Sequence, residues 1–297
     1  MRIAVTGANS SVGKNLLAYI AKHTDHEVIA GVRSQSAFSS LPESPQIEGR
    51  VISYASVEEL ASSLAGADCV VHLAGILIEG KGTTYASANV DATRAVAEAA
   101  QKIAAKNLVF ISVVGASPTS SNAYFRSKGA AEELVSAASC NSSILRTPIL
   151  LGPGTAGANS LVGAASMPKA KVLGGGLYRM RPLDIDDLNL AILRCCESTA
   201  TGSMTYELVG PEAISYRDLI HKTAALMNKE VEIGSIPLWI AKLGAAITSR
   251  LKGGGITPTV VDVITMDEVV QANADGVLGI TLTPLTETLI KITGKKN

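Results

Sequence analysis

What this chain lacks narrows its identity before any motif is read. Its 297 residues balance 26 Lys and Arg against 26 Asp and Glu, with no basic stretch, so no field draws it to nucleic acid. Charged residues make up only 18% against 47% hydrophobic, which excludes a disordered chain and supports a sizeable core. Cys69, Cys140, Cys195 and Cys196 form no CxxC pair and have no histidine partner at metal-ligand spacing. They read as reduced thiols with neither a redox nor a metal role. No apolar run approaches the roughly 20 residues of a membrane span, and the N-terminus has no signal-peptide pattern. The expectation is a cytoplasmic protein without internal repeats.

What is present is an alternation. Short β-rich apolar runs near residues 2–6, 27–32, 51–53, 69–73, 108–112 and 144–147 alternate with helical stretches near 13–23, 57–65, 87–104 and 123–138. That order predicts an α/β fold, a doubly wound parallel sheet with crossover helices. In "NVDATRAVAEAAQKIAAK", Val90, Thr93, Ala97, Ala100 and Ala104 recur at helical spacing, a face of mostly small residues suited to close packing. "LGPGTAGANS" is a Gly-rich break. Residues 1–152 are expected to form the main domain, and 153–297 mostly a smaller C-terminal substrate lobe, with some segments returning to the first domain.

The opening "MRIAVTGANSSVGKNLL" is a strand running into a turn and a helix. In such a loop the first glycine permits the tight turn, the middle one lets a pyrophosphate approach the backbone, and the last lets the helix pack on the strand. Gly7 and Gly13 fill the outer roles. Ser10 stands at the middle position, where a β-carbon is expected to crowd the approach, while Asn9, Ser10 and Ser11 offer hydrogen bonds to phosphate beside Val12. The second strand, "HEVIAGVRS", presents Val32 and then Arg33 where an NAD-preferring protein presents Asp or Glu. A guanidinium there pairs with a 2′-phosphate, so the expected cofactor is NADP(H) rather than NAD(H).

"AYFRSKGAAEEL" sets Tyr124 and Lys128 four apart on one helix face. A phenol titrates near 10, and a neighbouring ammonium lowers it, so Tyr124 is expected to exchange a proton with a carbonyl or alcohol oxygen. Ser112, at the end of the strand "VFISVVG", is expected to face the crevice above the carboxyl ends of the strands and hold the substrate carbonyl.

Together these residues resemble the extended or atypical short-chain dehydrogenase/reductase family over nearly the whole chain. The matching pieces are "TGANSSVG", "ADCVVHLAG", "NVDATRAVAEAA", "ISVVG", "YFRSK" and "LRTPILLGPG". The resemblance implies Ser112 for substrate polarisation, Tyr124 as acid/base, Lys128 on the nicotinamide ribose, and Asn89 in a water relay. It also implies that Leu73, Ala74, Gly75, Pro148 and Ile149 line the cofactor cleft, and it leaves His72 as a packed strand histidine. Relatives often carry an acid where Ser53 stands and serine where Val113 or Val114 stands. The segments "GGGLYRMRPLDIDDLNLAIL", "YELVGPEAISYRDLI" and "IPLWIAKL" look like the branch containing the nucleotide-binding accessory subunit of respiratory complex I. Arg181, Asp186 and Asp187 are then either structural or substrate contacts.

The expected activity is an NADP-dependent oxidoreductase transferring hydride between nicotinamide and a small-molecule carbonyl or alcohol. A non-catalytic NADPH-binding subunit or sensor and a nucleotide-sugar epimerase or dehydratase stand as alternatives. In "IPLWIAKLGAAITSRL", Leu238, Ala241, Ala245 and Ile247 suggest a partner- or membrane-facing surface, although a helix packed on its own lobe is the preferred reading.

Overall fold

A computed structural model describes residues 1–252 and 255–294 of the chain. The first half alternates strand and helix: β1 (Arg2–Thr6), α1 (Ser11–His23), β2 (Glu27–Val32), β3 (Ile47–Val51), α2 (Val57–Leu64), β4 (Cys69–His72), α3 (Ala92–Lys102), β5 (Asn107–Val113), α4 (Ala123–Ser136) and β6 (Asn141–Thr147). The second half adds β7 (Leu150–Leu151), α5 (Ala156–Ser166), β8 (Lys169–Leu173), β9 (Arg179–Met180), β10 (Leu183–Asp184), α6 (Ile185–Cys196), β11 (Ser203–Glu207), β12 (Ile214–Ser215), α7 (Tyr216–Leu226), β13 (Glu232–Ile236) and α8 (Leu238–Lys252). It ends in α9 (Pro258–Ile264), α10 (Asp275–Leu278) and α11 (Leu285–Thr293).

The central sheet has seven strands in the order β11-β6-β5-β4-β1-β2-β3, every pair parallel. β1 and β4 are buried on both faces, which is why Ile3–Val5 and Cys69–Val71 are unbroken apolar runs rather than alternating ones. One face packs Leu16, Leu17 and Ile20 of α1 with Leu188, Ile192 and Cys195 of α6. The other packs Leu60 and Leu64 of α2 with the alanines of α3 and Val135 of α4. Residues beyond the Gly-rich break thus supply both an edge strand and a helix to this layer, while α5, β8, α7 and α11 gather around a separate apolar cluster centred on Leu161, Leu219 and Leu289.

Two elements differ in kind or place from the sequence reading, beyond shifts of a few residues at other ends. The third strand lies at Ile47–Val51 rather than 51–53, because "IEGRV" is an edge strand whose Glu48 and Arg50 pair with each other and break the apolar pattern. The long helix expected over 87–104 is a π-helical turn, Ala86–Asp91, followed by α3, and it stops before Ala104, whose φ is +55°. The π turn carries Asn89 into the interior, a displacement that a regular 3.6-residue period does not show.

Candidate functional site

The loop after β1 is a cradle that side chains would fill. Gly7 has φ +74°, and a β-carbon there would lie 2.9 Å from the Ala74 amide nitrogen. A β-carbon on Gly13 would meet the carbonyl oxygens of Ala8 and Gly7, each at 2.6 Å. Ser10, where crowding is expected, has a further part in the loop. Its backbone is extended (φ −67°, ψ 163°), its side chain is exposed, and its Oγ accepts the Gly13 amide at 3.0 Å as the N-cap of α1. The serine therefore builds the helix start. By helix geometry the amides of Ser11 and Val12 have no intrahelical acceptor, and the dipole of α1 favours an anion beside them and the exposed Asn9. Arg33 projects exposed just beyond β2, next to buried Val32, and makes no ion pair among the described residues. Ser53 is exposed and accepts the Ala55 amide. The glycine cradle, the open amides and the cation fit a dinucleotide.

Below this loop lies a buried polar chain. Thr93 donates to the Asn89 carbonyl at 2.7 Å, so it accepts the Nε2 hydrogen of His72 at 3.0 Å. Nδ1 of His72 then accepts from Thr6 at 2.7 Å. Burial, with the Lys128 charge, lowers the pKa of His72 to about 3, so the ring is a neutral packed histidine. Asn89 accepts from the Ile76 amide at 2.8 Å and donates to the Ile76 carbonyl at 3.1 Å and to Ser127 Oγ at 3.0 Å. Ser127 in turn donates to the Tyr124 carbonyl at 2.7 Å. Both amide hydrogens of Asn89 are spent on tying the loop after β4, with half-buried Leu73 and Ala74 and exposed Gly75, to α4. No free donor is left there for the expected water relay.

α4 begins at Asn122, whose side chain accepts from the amides of Tyr124 and Phe125. Tyr124 is buried against Tyr85 and Phe125, at ring-centroid distances of 5.8 and 5.7 Å. Lys128 donates to the Ile111 carbonyl at 2.8 Å, and burial lowers its pKa to about 7. The expectation that Lys128 lowers the Tyr124 phenol is not met in this geometry. Burial, followed by the neighbouring Tyr85, pushes that phenol up. A β-carbon on Gly75 would lie 3.1 Å from Asn89 Oδ1 and 3.9 Å from Lys128 Nζ, so these groups share one corner of the crevice.

Tyr124 also lines a cavity of about 580 Å³, with Pro148, Ile149, Val113 and Val114 beside it. Ser112 does not line it. Strand alternation puts the serine on the Phe110 face of β5, where its Oγ is buried and has no hydrogen-bond partner. The structure brings Tyr124 and the two valines to the cavity and leaves the serine behind. Sequence reasoning missed the remaining polar wall: Tyr178 stacked on Tyr216 at 5.7 Å, Ser160, Lys171 and Glu268. The two tyrosines fall within quoted segments, but nothing local marks Glu268. Burial raises the Glu268 carboxyl, and it accepts the Arg181 amide at 2.7 Å.

The segment left open between two roles makes contacts within the protein. The Arg181 guanidinium donates to the carbonyls of Gly210 and Pro211, Asp186 pairs with Lys291 at 2.7 Å, and Asp187 accepts from the amide and hydroxyl of Thr283.

A family model described as NAD(P)H-binding matches residues 7–172. The ceramide reductase of Caulobacter vibrioides is 26% identical over 243 residues, 79% of this chain and 73% of that protein. The mitochondrial NADH dehydrogenase [ubiquinone] 1 alpha subcomplex subunit 9 of Arabidopsis thaliana is 25% identical over 196 residues, 64% of this chain and 48% of that one. Among solved structures, a UDP-glucuronic acid 4-epimerase from Bacillus cereus, in complex with UDP-glucuronic acid and NAD, superposes with a TM-score of 0.76. It covers 99% of this chain and 98% of its own at 18% identity, a likeness of fold. With its parallel sheet and its glycine cradle inside the matched region, the chain belongs to the NAD(P)H-binding Rossmann family.

Proposed function

We propose that this protein is an NADP(H)-dependent oxidoreductase that interconverts a carbonyl and an alcohol on a long, apolar substrate. The observation that carries the reading is the cavity: Tyr124 stands in a wall otherwise dominated by aliphatic, methionine and aromatic side chains, among them Leu77, Val113, Val114, Val172 and Met266. Such a chamber binds by burying apolar surface, with few polar groups to fix orientation. The similarity to a ceramide reductase supports the same substrate class.

Gly7, Gly13 and the amides of Ser11 and Val12 would hold the pyrophosphate, Arg33 the 2′-phosphate, and Leu73 to Gly75 with Pro148 and Ile149 the walls of the nicotinamide side. When bound, the nucleotide supplies or accepts the hydride. Tyr124 moves the proton. Its raised pKa keeps the phenol protonated at neutral pH, which suits donation to a carbonyl oxygen as negative charge develops there. Lys128, fixed to the Ile111 carbonyl, holds a positive charge or a neutral amine close to the ribose corner according to pH. With Ser112 outside the cavity, Tyr124 alone among the expected catalytic groups orients the substrate oxygen.

Two other readings rank below this. A nucleotide-sugar substrate needs cations for its diphosphate, and among the described residues Lys171 is the one cationic side chain in the cavity wall. A non-catalytic NADPH-binding subunit is favoured by the likeness to the Arabidopsis complex I subunit and by the displaced serine. The test is NADPH oxidation by the purified protein with a ketone series of increasing alkyl length. The expected result is a kcat/KM that climbs with chain length. NADPH binding without turnover on any carbonyl would overturn the reading in favour of the subunit, and conversion of UDP-sugars would favour the epimerase.

A further inference from the structure

Helix α8 departs from the sequence expectation. Ala245 packs inward, yet the opposite side of the helix shows Trp239 at 68% exposure, Leu243 at 56%, Ile247 at 54% and Ile240 at 45%. At 100° per residue these four fall within one arc of the helix, so they form a stripe rather than scattered apolar residues. Leu238 also lies exposed at the start of the helix. A contiguous apolar stripe of this kind on a folded protein marks a contact surface.

We infer that α8 is a peripheral docking helix that rests on an anionic lipid surface. Charge selects this occupant. Between Glu232 and Asp262 the sequence contains no acidic residue, while Lys242 and Arg250 lie on α8 itself. The Lys242 ammonium pairs with Asp262 at 2.6 Å, and Arg250 is exposed. A second copy of the chain meeting the same face by a two-fold axis would set this acid-free, basic segment against itself. A bilayer with anionic headgroups offers the opposite charge, an interfacial zone suited to an indole, and apolar depth for leucine and isoleucine. Among the described residues no helix is long and apolar enough to cross a membrane, so α8 lies on the surface rather than through it.

The placement of the helix has a consequence for the cavity. α8 packs against α9, and Val263 and Ile264 of α9 form part of the cavity wall. Ile264 is at once exposed and cavity-lining, so the helix against which α8 packs carries an apolar side chain at the cavity edge. The docking surface itself does not depend on the proposed reaction.

Trp239 is the only tryptophan of the chain, so tryptophan emission reports this face alone. The experiment titrates the full-length protein with vesicles of phosphatidylcholine containing phosphatidylglycerol, and with pure phosphatidylcholine, followed by flotation. The expected result is a blue shift of the emission and co-flotation with the anionic vesicles, weakened by salt. The double variant L243E/I247E should stay unbound while keeping the thermal unfolding and NADPH affinity of the wild type. The inference is overturned if wild-type emission is unchanged by anionic vesicles and the protein does not float, or if wild type and double variant float equally. It is also overturned, in favour of a second copy, if Trp239 becomes shielded by concentration-dependent dimerisation without lipid. Loss of vesicle binding with carbonyl turnover intact would separate this failure from failure of the proposed reaction.

Discussion

The ammonium of Lys128 sits 4.1 Å from the centroid of the Phe110 ring. The ring face and the Ile111 carbonyl give the charge two partial partners, but burial dominates and brings the pKa from the ordinary 10.5 down to about 7. Between those two values the unfolded chain holds a proton that the folded chain lacks, so stability rises with pH across that window. The contribution is full above the unfolded value and is lost as pH falls through about 7. Lys128→Met, which keeps the apolar stem, should flatten the pH dependence of urea unfolding over this range. Equal slopes for the two proteins would remove Lys128 as its origin.

Tyr124 is expected to matter for chemistry and little for binding. Tyr124→Phe removes the proton donor while keeping the ring contacts with Tyr85 and Phe125. Turnover should fall by about two to four orders of magnitude, in line with the loss of a positioned acid. NADPH affinity by calorimetry should stay within about twofold, a change of about 0.4 kcal/mol.

Arg33 should decide between the two nicotinamide cofactors. A charge-assisted hydrogen bond contributes about 1.5–3 kcal/mol, so Arg33→Ala should weaken NADPH binding by about ten- to a hundredfold. NADH binding should barely change. Parallel losses for both nucleotides would show that Arg33 does not read the 2′-phosphate.

Ser10 and Gly13 divide the loop between cap and cradle. Ser10→Ala removes the N-cap acceptor and should cost about 1 kcal/mol of stability, while Ser10→Gly costs only a few tenths. Gly13→Ala drives a methyl into two carbonyl oxygens and should cost about 1–3 kcal/mol and abolish nucleotide binding. Denaturant unfolding and calorimetry on the three variants would test this, and an intact nucleotide affinity in Gly13→Ala would contradict it.

Ala164, in the cavity wall, offers a probe of substrate length. Ala164→Phe should lower kcat/KM for long-chain ketones about tenfold or more while sparing short ones, since one methylene in an apolar pocket is worth about 1–3 kcal/mol. Equal losses at every length would indicate general damage rather than a filled cavity.

Much of this molecule is written locally. The short apolar runs of β1 and β4, set between turn signals, read as interior parallel strands, and Gly7 and Gly13 announce a phosphate-type turn: a β-carbon on Gly7 would meet the chain after β4, and one on Gly13 the carbonyls of Gly7 and Ala8. Tyr124 and Lys128 share a face by the helix period alone. The sequence by itself thus determined the sheet, its crossover helices, the nucleotide loop and the tyrosine–lysine pair, because each depends on interactions within a few residues or on a repeated period. Only the tertiary structure decided that Ser112 turns away from the cavity while Val113 and Val114 face it, since one residue of strand register chooses the face. It alone brought Glu268 and Met266 to the cavity that holds Tyr124, and it alone left one side of α8 bare. A helical period shows that an apolar side exists; whether anything covers it depends on elements far away in the chain, packed by non-directional forces that leave no local mark.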